Sequence, residues 1–172
     1  MASSVAFFRN LNLGQRRCPS RDQLVRAFQA EDATDVLSHQ VNGTVAFTTP
    51  DGGSAQDVAD AVVSRLAQVS EWSDVVLVRS VEWLQSLDVG ALPDGCELTL
   101  MDGPEPFPEV VPWDPGRGEV TVLRADGRHA IVLNHRERRS NGTPVIEWRL
   151  GVPATSRGIG TVQRLLARLA SE

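Results

Sequence analysis

The chain has 172 residues, 41% of them hydrophobic and 23% charged, enough for one domain or two small subdomains with a real core. That composition excludes a disordered tail protein, a coiled coil and a collagen-like repeat, and no apolar run approaches the ~20 residues of a membrane span. The net charge of −5 conceals a basic head (+3 over residues 1–31), an acidic middle (−13 over 32–115) and a basic tail (+5 over 116–172).

In chain order, Val5–Phe8 reads as a buried strand that runs into a polar loop from Arg9 to Arg17. Pro19 and Ser20 signal a helix start, with Leu24, Val25 and Phe28 as its apolar face. Val36–Val41 and Val45–Thr49 read as strands joined at Asn42-Gly43, a strong hairpin signal. Ser54 caps a long helix in which Val58, Val62, Leu66 and Val69 recur at helical spacing, and Asp74–Val78 is the next strand. The order β-α-β-β-α-β is that of a split βαβ, ferredoxin-like unit. Its four strands are expected in one mainly antiparallel sheet with both helices on one face.

A short helix is predicted around Val81–Leu87 and a strand over Glu97–Met101. Prolines 104, 106, 108, 112 and 115 then forbid helix or central strand, so this stretch is expected as an ordered surface loop. Glu119–Leu123 and His129–Leu133 alternate around Asp126-Gly127 as a second hairpin. A short helix around Val145–Leu150 follows. Thr155 or Ser156 is expected to cap a last helix with Val162, Leu165, Leu166 and Leu169 as its stripe. The expected fold is therefore α+β, with two ferredoxin-like (split βαβ) halves carrying antiparallel sheets. The segments are 1–79 as the first half, 80–118 as a connecting helix, strand and Pro-rich loop, and 119–172 as the second-half hairpin and closing helices, all in one compact unit.

The opening Met1–Arg9 has no basic leader and no long apolar core, so a cytoplasmic location is expected. Cys18 and Cys96 stand far apart without metal-ligand spacing and read as reduced thiols. The Asn-Gly-Thr triplets at Asn42 and Asn141 match the glycosylation pattern but read as turn residues.

Ala6-Phe-Phe-Arg-Asn-Leu-Asn-Leu-Gly14, Asn42-Gly-Thr-Val-Ala-Phe47 and Glu147-Trp-Arg-Leu-Gly-Val-Pro-Ala-Thr-Ser-Arg157, with Thr161-Val162, carry a likeness to a known family. The chain resembles the bacterial domain of unknown function 1697 family, most clearly at its two ends and least from Ser80 to Pro115. Arg9, Asn12, Gly14, Arg157 and Thr161 match the family pattern. Asn10 stands where glycine is usual, Gln15 replaces a second glycine, Thr44 replaces an asparagine, and Gly158-Ile159 replaces an asparagine–tryptophan pair. The resemblance implies an α+β fold with ferredoxin-like halves and no established activity, cofactor or substrate.

All seventeen basic residues are Arg. Arg suits bidentate phosphate recognition. The joint scarcity of Lys, Tyr, Asn and Ile reads instead as a GC-rich codon bias, so position must carry the argument. The best-placed set is Arg9, Asn12, Gly14, Arg16 and Arg17, a polar, Gly-containing loop leading into a helix, which offers N–H groups and cations to an anion. Arg157 and Thr161, at the expected start of the last helix, complete the candidate anion-binding set. The bland reading is a turn with solvated arginines. Arg157-Gly-Ile-Gly-Thr161 also looks like an acyltransferase pyrophosphate loop, although Thr155 stands where Gln or Arg is usual. His135 in the charged Asn134–Arg139 run is a candidate acid or base without a recognisable nucleophile. Trp72, Trp83, Trp113 and Trp148 read as core or loop anchors. No metal site and no cofactor is expected.

The reading is a bacterial, cytoplasmic, non-catalytic module binding a phosphate-bearing ligand or nucleic acid. The alternatives are an acyl-CoA-dependent transferase and an interaction protein without a small ligand.

Overall fold

The computed structural model describes residues 2–116, 118–136 and 139–171. The chain forms two compact units, one running up to Leu87 and including the chain end from Arg168, the other spanning Asp88–Ala167.

The first unit contains β1 (Ser4–Phe8), α1 (Arg21–Gln29), β2 (Thr34–His39), β3 (Thr44–Thr48), α2 (Ala55–Val69), β4 (Val76–Ser80) and α3 (Val81–Ser86). Its strands form one sheet in the order β2-β3-β1-β4, and every neighbouring pair is antiparallel. Ala6, Phe8, Val45, Phe47 and Val76 share one face of this sheet. They pack with Leu24 and Phe28 of α1 and with Val58, Val62 and Leu66 of α2. Both helices therefore cover the same face, as the alternation of the strands predicts. Phe28 sits centrally, its ring 6.1 Å from Phe8 edge-on and 4.8 Å from Phe47; burial of each such side chain contributes about 1.5–3 kcal/mol. α1 starts with a full capping box: the Ser20 hydroxyl accepts from the Gln23 N–H (3.1 Å), and the Gln23 side chain accepts from the Ser20 N–H (2.7 Å).

The Asn42-Gly43 turn requires its glycine. Gly43 has φ +64°, and a Cβ there would lie 2.8 Å from Leu11 Cβ and 2.9 Å from Phe8 Cβ. The Gly43 carbonyl accepts the Phe8 N–H at 2.8 Å, which ties the hairpin to the end of β1.

The second unit contains β5 (Cys96–Met101), β6 (Val120–Ala125), β7 (His129–Asn134), α4 (Gly142–Leu150), β8 (Ala154–Gly158) and α5 (Ile159–Leu169), whose last two residues belong to the first unit. Its sheet order is β6-β7-β5-β8, the same permutation as in the first unit. The registers also correspond. Val5 lies opposite Ala46 and Arg79; Leu98 lies opposite Ile131 and Arg157. Where the first unit has α1, the second has a proline-rich stretch beginning at 102 and described up to 116. That stretch touches the sheet edge through reciprocal backbone bonds between Trp113 and Val122 of 2.9 and 2.8 Å.

Two expectations need correcting. Thr155 and Ser156 do not cap the last helix, because Ala154–Gly158 is a strand and α5 begins only at Ile159. β5, placed by sequence in the connecting stretch 80–118, is a central strand of the second sheet.

Candidate functional site

The loop after β1 is held from both sides. Leu11 and Leu13 are buried, and the Leu13 N–H donates to the Val41 carbonyl at 2.8 Å. Arg9 Nη1 donates to both Asp74 carboxylate oxygens at 3.1 and 2.8 Å, and Asn10 Nδ2 adds a bond of 2.9 Å to the same group. The Trp72 indole N–H donates to the Arg9 carbonyl at 3.2 Å. Arg9 thus pins the loop to the α2–β4 connection, and its cation is matched by a carboxylate.

Beyond these anchors the backbone makes two successive tight turns. The Asn12 carbonyl accepts the Gln15 N–H (3.2 Å), and the Gln15 carbonyl accepts the Cys18 N–H (3.0 Å). The third residue of each turn has positive φ, +78° at Gly14 and +72° at Arg17, the conformation that suits glycine. For Arg17 it is a cost. Glu71 offsets part of it, donating its N–H to the Arg17 carbonyl at 3.1 Å and placing its carboxylate 3.1 Å from Arg17 Nε. That ion pair is exposed on both sides and adds little. Arg16 is different: it is exposed, and neither its guanidinium nor its N–H has a partner among the described residues. The Arg17 N–H is also unpartnered among them. Arg21, at the start of α1, donates to the Gln40 carbonyl at 3.0 Å. Unpartnered N–H groups beside guanidinium groups are the components of an anion site.

Arg157 and Thr161 belong to the second unit. Arg157 lies in β8, is 6% exposed, and donates from Nη1 to Thr155 Oγ1 (2.9 Å) and to the Ser156 carbonyl (2.8 Å). Burial lowers its pKa to about 10, so it stays charged at neutral pH. Its counterpart Arg79 is 3% exposed, donates from Nη1 to the Val78 carbonyl (2.8 Å) and lies over the Trp83 ring at 5.6 Å. These two arginines are matching parts of the two sheets. Thr161, in the first turn of α5, accepts from Arg164 at 3.3 Å. Gly158 and Gly160 close a strand and open a helix, so the segment is not an open glycine loop.

His135 bonds Thr121 Oγ1 through Nε2 at 2.9 Å and the Gly118 carbonyl through Nδ1 at 3.3 Å. Glu137 and Arg138 of its charged run lie outside the described residues. Among the described residues no three His, Cys, Asp or Glu side chains gather into a metal site, and no helix is long and apolar enough to cross a membrane.

A buried polar network in the second unit escaped the sequence reading. Glu97, 7% exposed, accepts the Gly142 N–H at 3.1 Å and so takes over the capping of α4. Ser156 Oγ lies 2.8 Å from both Thr99 Oγ1 and Thr143 Oγ1. Asn134 Oδ1 accepts the Asn141 N–H at 3.0 Å. The available signal was the Glu97-x-Thr99 spacing in β5, which puts both polar side chains on one face of the strand, where both are buried.

Fold and loop together define an α+β protein with two four-stranded antiparallel sheets of ferredoxin-like order. The chain belongs to the family described as "protein of unknown function (DUF1697)", whose model matches residues 1–97. Among solved structures it is similar to a conserved bacterial protein from Streptococcus pneumoniae, with 14% identity and a TM-score of 0.60 over 96% of this chain and 97% of that one. At that identity the likeness speaks to the fold. No curated protein matches the chain.

Proposed function

We propose that this protein is a non-catalytic binding module for a phosphate-bearing ligand, held at the 12–17 loop of the first unit. The observation that carries this reading is Arg16, an exposed guanidinium and N–H without partners among the described residues, on a loop anchored by the Arg9–Asp74 pair. Arg17 supports it by holding a positive-φ conformation that is costly for a residue other than glycine. Asn12 and Gly14 shape the turn, and Arg9 positions it. The proposed site leaves out Arg157, which is buried, and Thr161, which accepts from Arg164.

The same reading places the protein in the bacterial cytoplasm, where the free Cys18 and Cys96 remain thiols. A net charge of −5 opposes long-range capture of a polyanion, so short-range contacts must dominate and a small phosphate ester fits better than a long nucleic acid.

Calorimetric titration with pyrophosphate and with a short single-stranded oligonucleotide at low salt tests this. We expect saturable pyrophosphate binding that Arg16→Ala weakens roughly tenfold or more, the size of a lost charge-assisted hydrogen bond. Replacing the buried Arg157 is not a usable control, so the comparison is the exposed Arg124→Ala, which should leave binding unchanged. If neither ligand binds at low salt, the reading is wrong.

A further inference from the structure

A groove of about 400 Å3 runs between α1 and α2 in the first unit. Gln23, Arg26, Ala27 and Ala30 form one wall; their i, i+3, i+4, i+7 spacing is one face of α1 and its C-cap, about 10 Å long. The opposite wall is Arg65, Leu66, Gln68 and Val69 of α2. The volume falls within the ~300–1,000 Å3 of small-ligand pockets. Four residues from each helix fall far short of the ~20–30 a side of a protein interface, so a small molecule fits the groove better than a partner chain.

Two features fix the chemistry of the occupant. The first is apolar surface. Val58, Val62, Leu66 and Val69 recur at helical spacing, yet only the first three are buried, and Val69 is 55% exposed. The small side chains of Ala27 and Ala30 leave the groove open, and the fully buried Leu66 closes its floor. The second feature is charge. Arg65 Nε pairs with Glu31, and Arg65 Nη2 donates to the Ala30 carbonyl at 3.4 Å, so the Arg65 charge is matched. Among the described residues neither the Arg26 guanidinium nor the Gln68 side chain has a partner, and Asp22, one turn before Arg26, makes no ion pair with it. The lining contains no carboxylate, and the chain around it is described without a gap from residue 2 to 116.

We propose that this groove binds a small amphipathic carboxylate, a carboxyl group carried on a short straight acyl chain. The carboxylate meets Arg26 in a charge-assisted contact, with Gln68 supplying a neutral donor from the other wall. The chain lies along Ala27, Ala30, Leu66 and Val69 and takes the exposed Val69 surface out of water. A cation would face two guanidinium groups. A neutral apolar ligand would desolvate Arg26 without a counter-charge, and a compact anion would leave the apolar wall wet. The proposal does not rest on the phosphate site of the 12–17 loop.

The test is an NMR titration of the Val69 methyl groups, assigned through Val69→Ala, with octanoate as the probe. Octanol matches it in shape without the charge, and acetate carries the charge without the chain. We expect a saturable shift with octanoate, and binding of octanol and of acetate about tenfold weaker or more. Arg26→Gln should weaken octanoate binding roughly tenfold, the loss of a charge-assisted hydrogen bond. Ala30→Leu should abolish it by filling the groove; both positions are exposed, so both variants should fold. Equal binding of octanol would leave an apolar cleft only, and equal binding of acetate an ion contact only. Either result, an unchanged affinity in either variant, octanoate shifts confined to the 12–17 loop, or no saturable shift would overturn the proposal.

Discussion

Gly142 has no room for a side chain. A Cβ there would lie 2.3 Å from Thr99 Oγ1 and 3.0 Å from both Glu97 Oε2 and Ser156 Oγ, so the start of α4 sits directly on the buried polar network. Gly142→Ala should force that network apart and cost about 1–3 kcal/mol, the usual penalty of overpacking, read as a lower urea midpoint. In a Thr99→Ala background the most severe clash is gone, and the same substitution should cost less; equal costs in both backgrounds would mean that the two residues are not coupled. At this scale the sequence is least legible. Arg9 reads as a ligand-facing cation but meets Asp74, 65 residues away, and no local pattern reveals such a pairing. Arg157 reads as exposed because arginine usually is, whereas its register opposite Leu98 takes it into the protein interior.

Among the elements, the two hairpins were legible because turn chemistry is local. Asp126-Gly127 joins β6 and β7 as the alternation predicts, and Asp126 Oδ1 accepts the N–H groups of Arg128 (2.7 Å) and His129 (2.8 Å). Burial pushes the Asp126 carboxyl pKa up, but these two bonds and the neighbouring His129 ring together pull it below its ordinary 3.8. A depressed folded-state value means that the stabilisation is present above pH 3.8 and disappears as pH falls through the folded value. Asp126→Asn should therefore lower stability at pH 7 and have a much smaller effect near pH 2, measured as the difference in urea midpoint from the parent. An equal cost at both pH values would show that the charge is irrelevant to the turn. Capping was legible in the same way at Ser20 and Ser54, whose hydroxyls each accept an N–H of the first turn; Ser80 caps α3 likewise, a cap the sequence reading did not mark. β8 was not, because Ala-Thr-Ser-Arg-Gly offers no apolar alternation, and its strand state comes from pairing with β5 rather than from propensity. The proline stretch reads correctly as non-helical, yet nothing local says that it stands where the first unit carries α1.

For the whole molecule, the three charge blocks of the sequence do not survive folding. The first unit holds eight Arg against eleven acidic residues, and the second holds nine against eleven. Each is thus mildly acidic, at −3 and −2, rather than one basic and one acidic. The repeated strand order was visible in the sequence as a rough echo between the two halves; the corresponding register of Arg79 and Arg157 was not, since it depends on which residues pair across strands. With no strong positive field in either unit, any anion must be held by short-range donors, and among the described residues the Arg16 guanidinium and the Arg16 and Arg17 N–H groups are unpartnered donors of that kind. The most direct measurement is therefore an amide and guanidinium NMR titration of the whole chain with pyrophosphate at low salt. We expect the largest shifts at the Arg16 and Arg17 N–H groups and at Arg16 Nε, saturating together and absent in Arg16→Ala; shifts spread evenly over all exposed arginines, or none in the 12–17 loop, would contradict a phosphate site there.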